Sequence, residues 1–205
     1  MKLYTLEEGS ELVKAARASI ELFIKNPHFN KSIVEESVKK FKDAHGVFVT
    51  LNYYQTNALR GCVGFPRPMS YLGKDIVDAA LAAAFEDPRF VPVSHAELNE
   101  LIIEVSVLSD PVELRYKGRT RTREIKIGRD GTIIQYGVYS GLLLPIVAVE
   151  QHWDSKTFLE ETCVKAGLPK EYWMQPNVKM YRFETQMFKE EEPNGRVTEV
   201  KLESQ

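Results

Sequence analysis

The chain has 205 residues with 27 Lys plus Arg against 29 Asp plus Glu, a formal net charge of -2. That is enough chain to bury a core, and it fits one domain or a larger lobe with a smaller one packed on it. So even a balance removes any global electrostatic case for nucleic acid or an anionic membrane and leaves only local patches to consider.

The N-terminal MKLYTLEEGSELVK is acidic and amphipathic from its first turn, and no apolar run of about 18 residues occurs, so neither a secretory leader nor a membrane span is expected. The expected location is the cytoplasm. Thr5 with Glu8 three residues on reads as a capping box, and Leu6, Val13, Ala16, Ile20 and Ile24 then recur at helical spacing until Asn26-Pro27 stops them. GVFVTLN (46–52) and ALRGCVGF (58–65) are short and rich in β-formers, with a polar break between them, and predict a hairpin. LGKDIVDAALAAAF (72–85) predicts a helix whose alanine stripe packs closely on a sheet and which ends at Asp87-Pro88. Ser94 and Glu97 form a second capping box for a short helix, and LIIEVSVLS (101–109) predicts an inner strand with Leu101, Ile103, Val105 and Val107 on one face.

Between Arg115 and Arg129 seven basic residues face one acid, Glu124, and the alternation RTRTR predicts a strand with Arg119, Arg121 and Arg123 in a ridge. TIIQYG predicts the next strand, Pro145 opens a short helical run through IVAVEQ, and Asp154 or Ser155 caps a further helix that Gly167 terminates. The apolar run Leu142 to Trp153 is expected in the core. VKMYRFET (178–185) closes as a strand, and EEEPNGRVTEV turns at Pro-Asn-Gly toward a charged tail over 190–205. The strands and helices mix without a strict βαβα rhythm, which predicts an α+β fold with a mixed or antiparallel sheet and flanking helices; no linker separates two independent domains.

One of only two cysteines, Cys62, stands between two glycines and two residues after an arginine. On a strand, Arg60, Cys62 and Gly64 share a face, which puts the guanidinium beside the thiol. A neighbouring cation favours thiolate and lowers the cysteine pKa, and Gly61 and Gly64 admit the close approach of a ligand or of another backbone. The plainer reading is a buried cysteine on a strand whose glycines mark a bulge. Cys163, on the apolar stripe of its helix near Phe158 and Leu159, reads as a core thiol. Asp87 and Arg89 read first as an Asp-Pro turn with a paired arginine that stops the helix.

LRGCVG (59–64) resembles the six-residue signature of the AMMECR-type domain family. GVFVTL (46–51), DPRFVPV (87–93), Glu97-Leu98, EVSVLS (104–109), Ile127-Gly128 with Gly131, LLLPIVAVEQHWD (142–154) and CVKAGLP (163–169) resemble, in order, its other recurrent blocks, over about residues 5–190. The resemblance implies an α+β fold with a larger and a smaller lobe and an association with Memo-type and radical SAM proteins; the shared strand face and the flanking glycines then predict Cys62 at the edge of a cleft between the lobes. The resemblance assigns no reaction. It also implies glycine or another small or polar residue where this chain has His152, a departure that weighs against a catalytic role for that histidine.

The histidines are scattered and no CxxC, HExxH or EF-hand spacing occurs, so no metal site is expected; no GxGxxG or GxxxxGK[ST] is present, so no nucleotide cofactor is expected either. Two readings of function stand open. In the first the chain is an enzyme with Cys62 as nucleophile, Arg60 as its electrostatic partner or as a clamp for an anionic substrate, Glu104 or His152 as proton carrier, and Arg89, Gly61 and Gly64 in the binding surface. In the second it is a binding or adaptor module that docks a partner through the LRGCVG strand or the basic segment. A protein partner is favoured there over nucleic acid, because RTRTREIK lacks interleaved aromatics.

Overall fold

The computed structural model describes residues 3–202. The chain forms two compact units: one runs to Leu108 and resumes at Gln186–Val200, and the other is Ser109–Thr185.

In the first unit α1 (Leu6–Lys25) starts at the predicted capping box, with Thr5 and Glu8 exchanging both bonds, and ends at Asn26. A short α2 (Ser32–Ser37), which the sequence did not signal, follows. β1 (Val47–Tyr53) and β2 (Leu59–Phe65) are the predicted hairpin. α3 (Leu72–Phe85) is the predicted alanine-rich helix, α4 (His95–Leu98) carries the Ser94–Glu97 capping box, and β3 (Leu101–Leu108) is buried along its whole length. β1 lies between β2 and β3, antiparallel to both. Val47, Val49, Leu51, Ile103, Val105 and Val107 face the core formed with α1 and α3, where Leu12, Ile20, Ile76 and Ala80 are also buried.

In the second unit β4 (Val112–Glu113) precedes a 3₁₀ segment, Gly118–Glu124. β5 (Asp130–Tyr136) and β6 (Tyr139–Leu143) form a hairpin, α5 (Pro145–Glu150) starts at Pro145 as predicted, and α6 (Ser155–Lys165) is capped by Asp154. Cys163 is fully buried, and Gly167 takes φ +75° just past the end of α6. The large buried indole of this unit is Trp173; Trp153, expected to close the core, is only half-buried against it. β7 (Lys179–Glu190) pairs with β4 and β5 up to Glu184 and with β8 (Val197–Val200) from Met187. Residues 197–200 are therefore an ordered strand and not part of a tail, because β7 runs five residues beyond the predicted strand end and offers them an edge.

The largest departure from the sequence reading lies in the basic segment. Gly118 at φ +54° leads into a 3₁₀ helix, so RTRTR is not a strand and its arginines do not form a ridge. At three residues per turn, positions two apart point about 120° away from each other. Arg121 points inward and is fully buried, donating to the carbonyls of Trp173, of Val178 at 2.6 Å and of Tyr116 at 3.3 Å. Satisfying those carbonyls is a tertiary demand that overrides local alternation. No helix among the described residues is long and apolar enough to cross a membrane.

Candidate functional site

The glycines around Cys62 are explained first by packing. A Cβ at Gly61 would lie 2.2 Å from the Ala83 carbonyl oxygen on α3, and one at Gly64 would lie 2.2 Å from the Val47 carbonyl oxygen. Gly61 therefore lets α3 sit directly on β2, and the close approach its type permits is that of another backbone.

Cys62 points to the other face of the strand. It stands opposite Thr50 on β1, and Thr50 stands opposite Glu104 on β3. Directly opposed residues bring their Cβ atoms to about 5 Å, so the three side chains form a transverse row. The Thr50 hydroxyl lies 3.4 Å from the Cys62 sulfur, and the Ser106 hydroxyl donates to Glu104 at 3.4 Å. Cys62 is half-buried, while Thr50 and Glu104 are buried.

The backbone of Cys62 faces the free side of β2, where Asp87 and Arg89 take the place of a neighbouring strand. The Asp87 carboxylate accepts the Cys62 N–H at 2.9 Å, and Arg89 donates to the Cys62 carbonyl at 3.4 Å. The two side chains are joined by bonds of 2.6 and 2.9 Å. Those bonds hold the Asp87 carboxyl well below the usual carboxylate range, with the Cys62 and Arg89 amides lowering it further. The turn after α3 does stop a helix, but it also fixes the strand that carries the thiol.

Arg60 does not stand beside the thiol. The register shifts between Leu51 and Asn52, leaving Arg60 as the extra residue of a bulge and breaking the alternation on which a shared face depended. Its buried guanidinium instead clasps Glu97 at 2.6 and 3.1 Å and the Val91 carbonyl at 2.7 Å. Tyr53 also donates to Glu97, at 2.5 Å. The guanidiniums of Arg60 and Arg89 lie 5.6 and 5.3 Å from the Phe90 ring centre, so Phe90 is held by both.

The electrostatic expectation changes accordingly. Burial pushes the Cys62 thiol above its ordinary value, the Thr50 hydrogen bond and the Arg89 charge draw it partly back, and Glu104 and Asp87 push it further up. The cation that acts on the sulfur is Arg89, not Arg60, and the resting group is a neutral thiol at pH 7.

The fold thus brings together Cys62, Gly61, Gly64, Arg89 and Glu104 from the predicted set and adds Thr50 and Asp87. Glu97, read from sequence as a helix cap, serves also as the partner of Arg60. Thr50 was legible only through hairpin register, and the bulge that the plainer reading allowed beside these glycines is what turns Arg60 away from the thiol. Arg119, Arg121, Arg123 and His152 belong to the other unit. Arg121 is structural there, and Arg119 and Arg123 are exposed. His152 is exposed with φ +53°, a left-handed conformation that suits glycine and matches the small residue implied at this position. Among the described residues no group of three or more His, Cys, Asp or Glu is placed to hold a metal ion.

Fold and site together define an α+β protein, its strands paired antiparallel, that presents one half-buried thiol on an edge strand braced by an Asp–Arg pair. The chain belongs to the AMMECR1 family, whose model matches residues 13–188. It is 45% identical to protein MJ0810 of Methanocaldococcus jannaschii over 203 residues, covering 98% of this chain and 100% of that one. A protein of Thermococcus gammatolerans is 47% identical over 194 residues, covering 93% and 94%. The crystal structure of the uncharacterized protein PH0010 from Pyrococcus horikoshii matches with a TM-score of 0.91 at 43% identity, covering 96% of this chain and 98% of that chain.

Proposed function

We propose that this AMMECR1-family protein is a thiol-dependent enzyme whose reactive centre is the row Cys62–Thr50–Glu104. The observation that carries this reading is the cross-strand register, which sets a thiol, a hydroxyl and a buried carboxylate side by side. The thiol is neutral at rest, so the nucleophile forms only as its proton leaves. The Thr50 hydroxyl relays that proton toward Glu104 and then stabilises the thiolate as a hydrogen-bond donor. Attack on an electrophilic carbonyl forms a C–S bond while the carbonyl electron pair moves to oxygen. Collapse of the adduct expels the leaving group, which takes the proton back from Glu104. Water then adds to the thioester carbonyl as Glu104 takes its proton, and the C–S bond breaks as that proton passes to sulfur, leaving a carboxylic acid and the neutral Cys62 thiol. Asp87 and Arg89 are positioning residues, since they hold the Cys62 backbone. Arg60 supports the neighbouring loop through Val91 and Glu97.

The test is covalent labelling by activated acyl esters, read by intact mass and peptide mapping. The adduct is expected on Cys62, absent in Cys62→Ser, and slowed at least tenfold in Glu104→Gln. Labelling spread over surface lysines, or an adduct on Cys62 whose rate ignores Glu104→Gln, would overturn the reading.

A further inference from the structure

We infer that the 3₁₀ segment and its flanks, residues 115–126, are a preformed docking surface for an acidic polypeptide. Of the seven cations in 115–129, two are spoken for: Arg121 is buried on carbonyls, and Arg129 is paired with Asp130 at 2.7 Å. Arg115, Lys117, Arg119, Arg123 and Lys126 are all exposed, and among the described residues none of the five makes an ion pair. Elsewhere Lys31, Lys39, Lys40, Lys74, Lys156 and Lys170 each have a carboxylate partner, while exposed Lys14, Lys25, Lys42, Arg67, Lys165, Lys179 and Arg196 have none among the described residues but are spread along the chain, so what sets 115–126 apart is five such cations within twelve residues. The one acid inside the basic stretch, Glu124, is occupied by the backbone: it accepts the amides of Tyr116 at 2.7 Å and Arg115 at 3.1 Å.

Those same contacts make the surface rigid. Arg121 fixes the middle of the segment from within, Glu124 ties its end back to its beginning, and Thr120 and Thr122 bond the carbonyls of Lys117 and Arg119. A partner therefore meets cations on an ordered backbone, so little further ordering has to accompany binding. Tyr116, half exposed between Arg115 and Lys117, adds an aromatic anchor of the type that concentrates interface energy beside arginine. The charge complement is an acidic partner. A polypeptide fits better than nucleic acid, because one ring gives no stacking platform for successive bases and the chain as a whole carries -2.

Fluorescence anisotropy with a labelled Glu/Asp-rich peptide containing one tyrosine, beside a single-stranded oligonucleotide of equal charge, tests the inference. Arg119→Glu with Arg123→Glu should weaken peptide binding at least tenfold. Lys14→Glu with Lys165→Glu, exposed cations outside the segment, makes the same change in net charge and should weaken it less than twofold. Wild-type binding should also weaken as salt rises. Equal losses in the two variants would reduce the effect to net charge, and an oligonucleotide that binds more tightly than the peptide with the same dependence on Arg119 and Arg123 would make this a nucleic-acid surface. Absence of peptide binding at low salt would likewise overturn the proposal. Circular dichroism melts within about 2 °C of wild type are expected for both variants, as exposed changes rarely cost more than about 0.5 kcal/mol.

Discussion

Gly61→Ala tests whether the glycine beside Cys62 exists for packing. The added Cβ would sit 2.2 Å from the Ala83 carbonyl oxygen, and ordinary contact begins at 3.4 Å, so β2 and α3 must part by about 1 Å. Both sides of the contact are backbone, and neither can yield as a side-chain tip would. α3 is fixed by buried Ile76, Ala79, Ala80 and Ala83, and β2 is bonded along its length to β1. Overpacking of this kind costs about 1–3 kcal/mol, and backbone against backbone places the expectation near about 3 kcal/mol. With a urea m-value of about 2 kcal/mol per molar, the midpoint should fall by about 1.5 M. Gly137→Ala is the control: its Cβ meets nothing within 4 Å, but φ is +57°, so only the left-handed strain of about 1 kcal/mol should appear. A Gly61→Ala protein that loses less stability than Gly137→Ala would refute the packing explanation. If it also lost acyl labelling of Cys62, the glycine would instead be there for a ligand.

Arg121→Met should cost about 3 kcal/mol, because the carbonyls of Trp173, Val178 and Tyr116 lose their donor and stranded buried acceptors cost about 1 kcal/mol or more each; Arg119→Ala should stay within about 0.5 kcal/mol, and equal urea midpoints for the two would refute the structural role. Burial pushes the Cys163 thiol from 9.0 up to about 11, so the folded state keeps its proton where the unfolded state has lost it. The resulting stabilisation, about 2–3 kcal/mol, is fully present below about pH 9 and is lost as pH rises toward about 11. Urea midpoints between pH 8 and 11 should fall more steeply for the wild type than for Cys163→Ala, and parallel curves would sink the assignment.

Local chemistry by itself determined much of this fold. The Thr5–Glu8 and Ser94–Glu97 boxes, Pro145 and the Asp154 cap start their helices where the sequence places them, because each satisfies end amides, or omits one, within a single turn. The faces of β1 and β3 were likewise legible, since a period of two needs no knowledge of the partner strand. The location of Cys62 on a strand was legible too, and so was the burial of Cys163. Tertiary structure alone decided the rest. One extra residue at Arg60 moves a guanidinium from the thiol to Glu97; the glycines hinted at a bulge, but which residue is the extra one is set by the partner strand. The row through Thr50 to Glu104 depends on how three strands align, and Asp87 meets the Cys62 amide across 25 positions of sequence. RTRTR reads as a strand until a distant set of carbonyls claims Arg121. Alternation is a property of neighbours in sequence, whereas an unsatisfied buried carbonyl is a property of neighbours in space, and here the second outweighs the first.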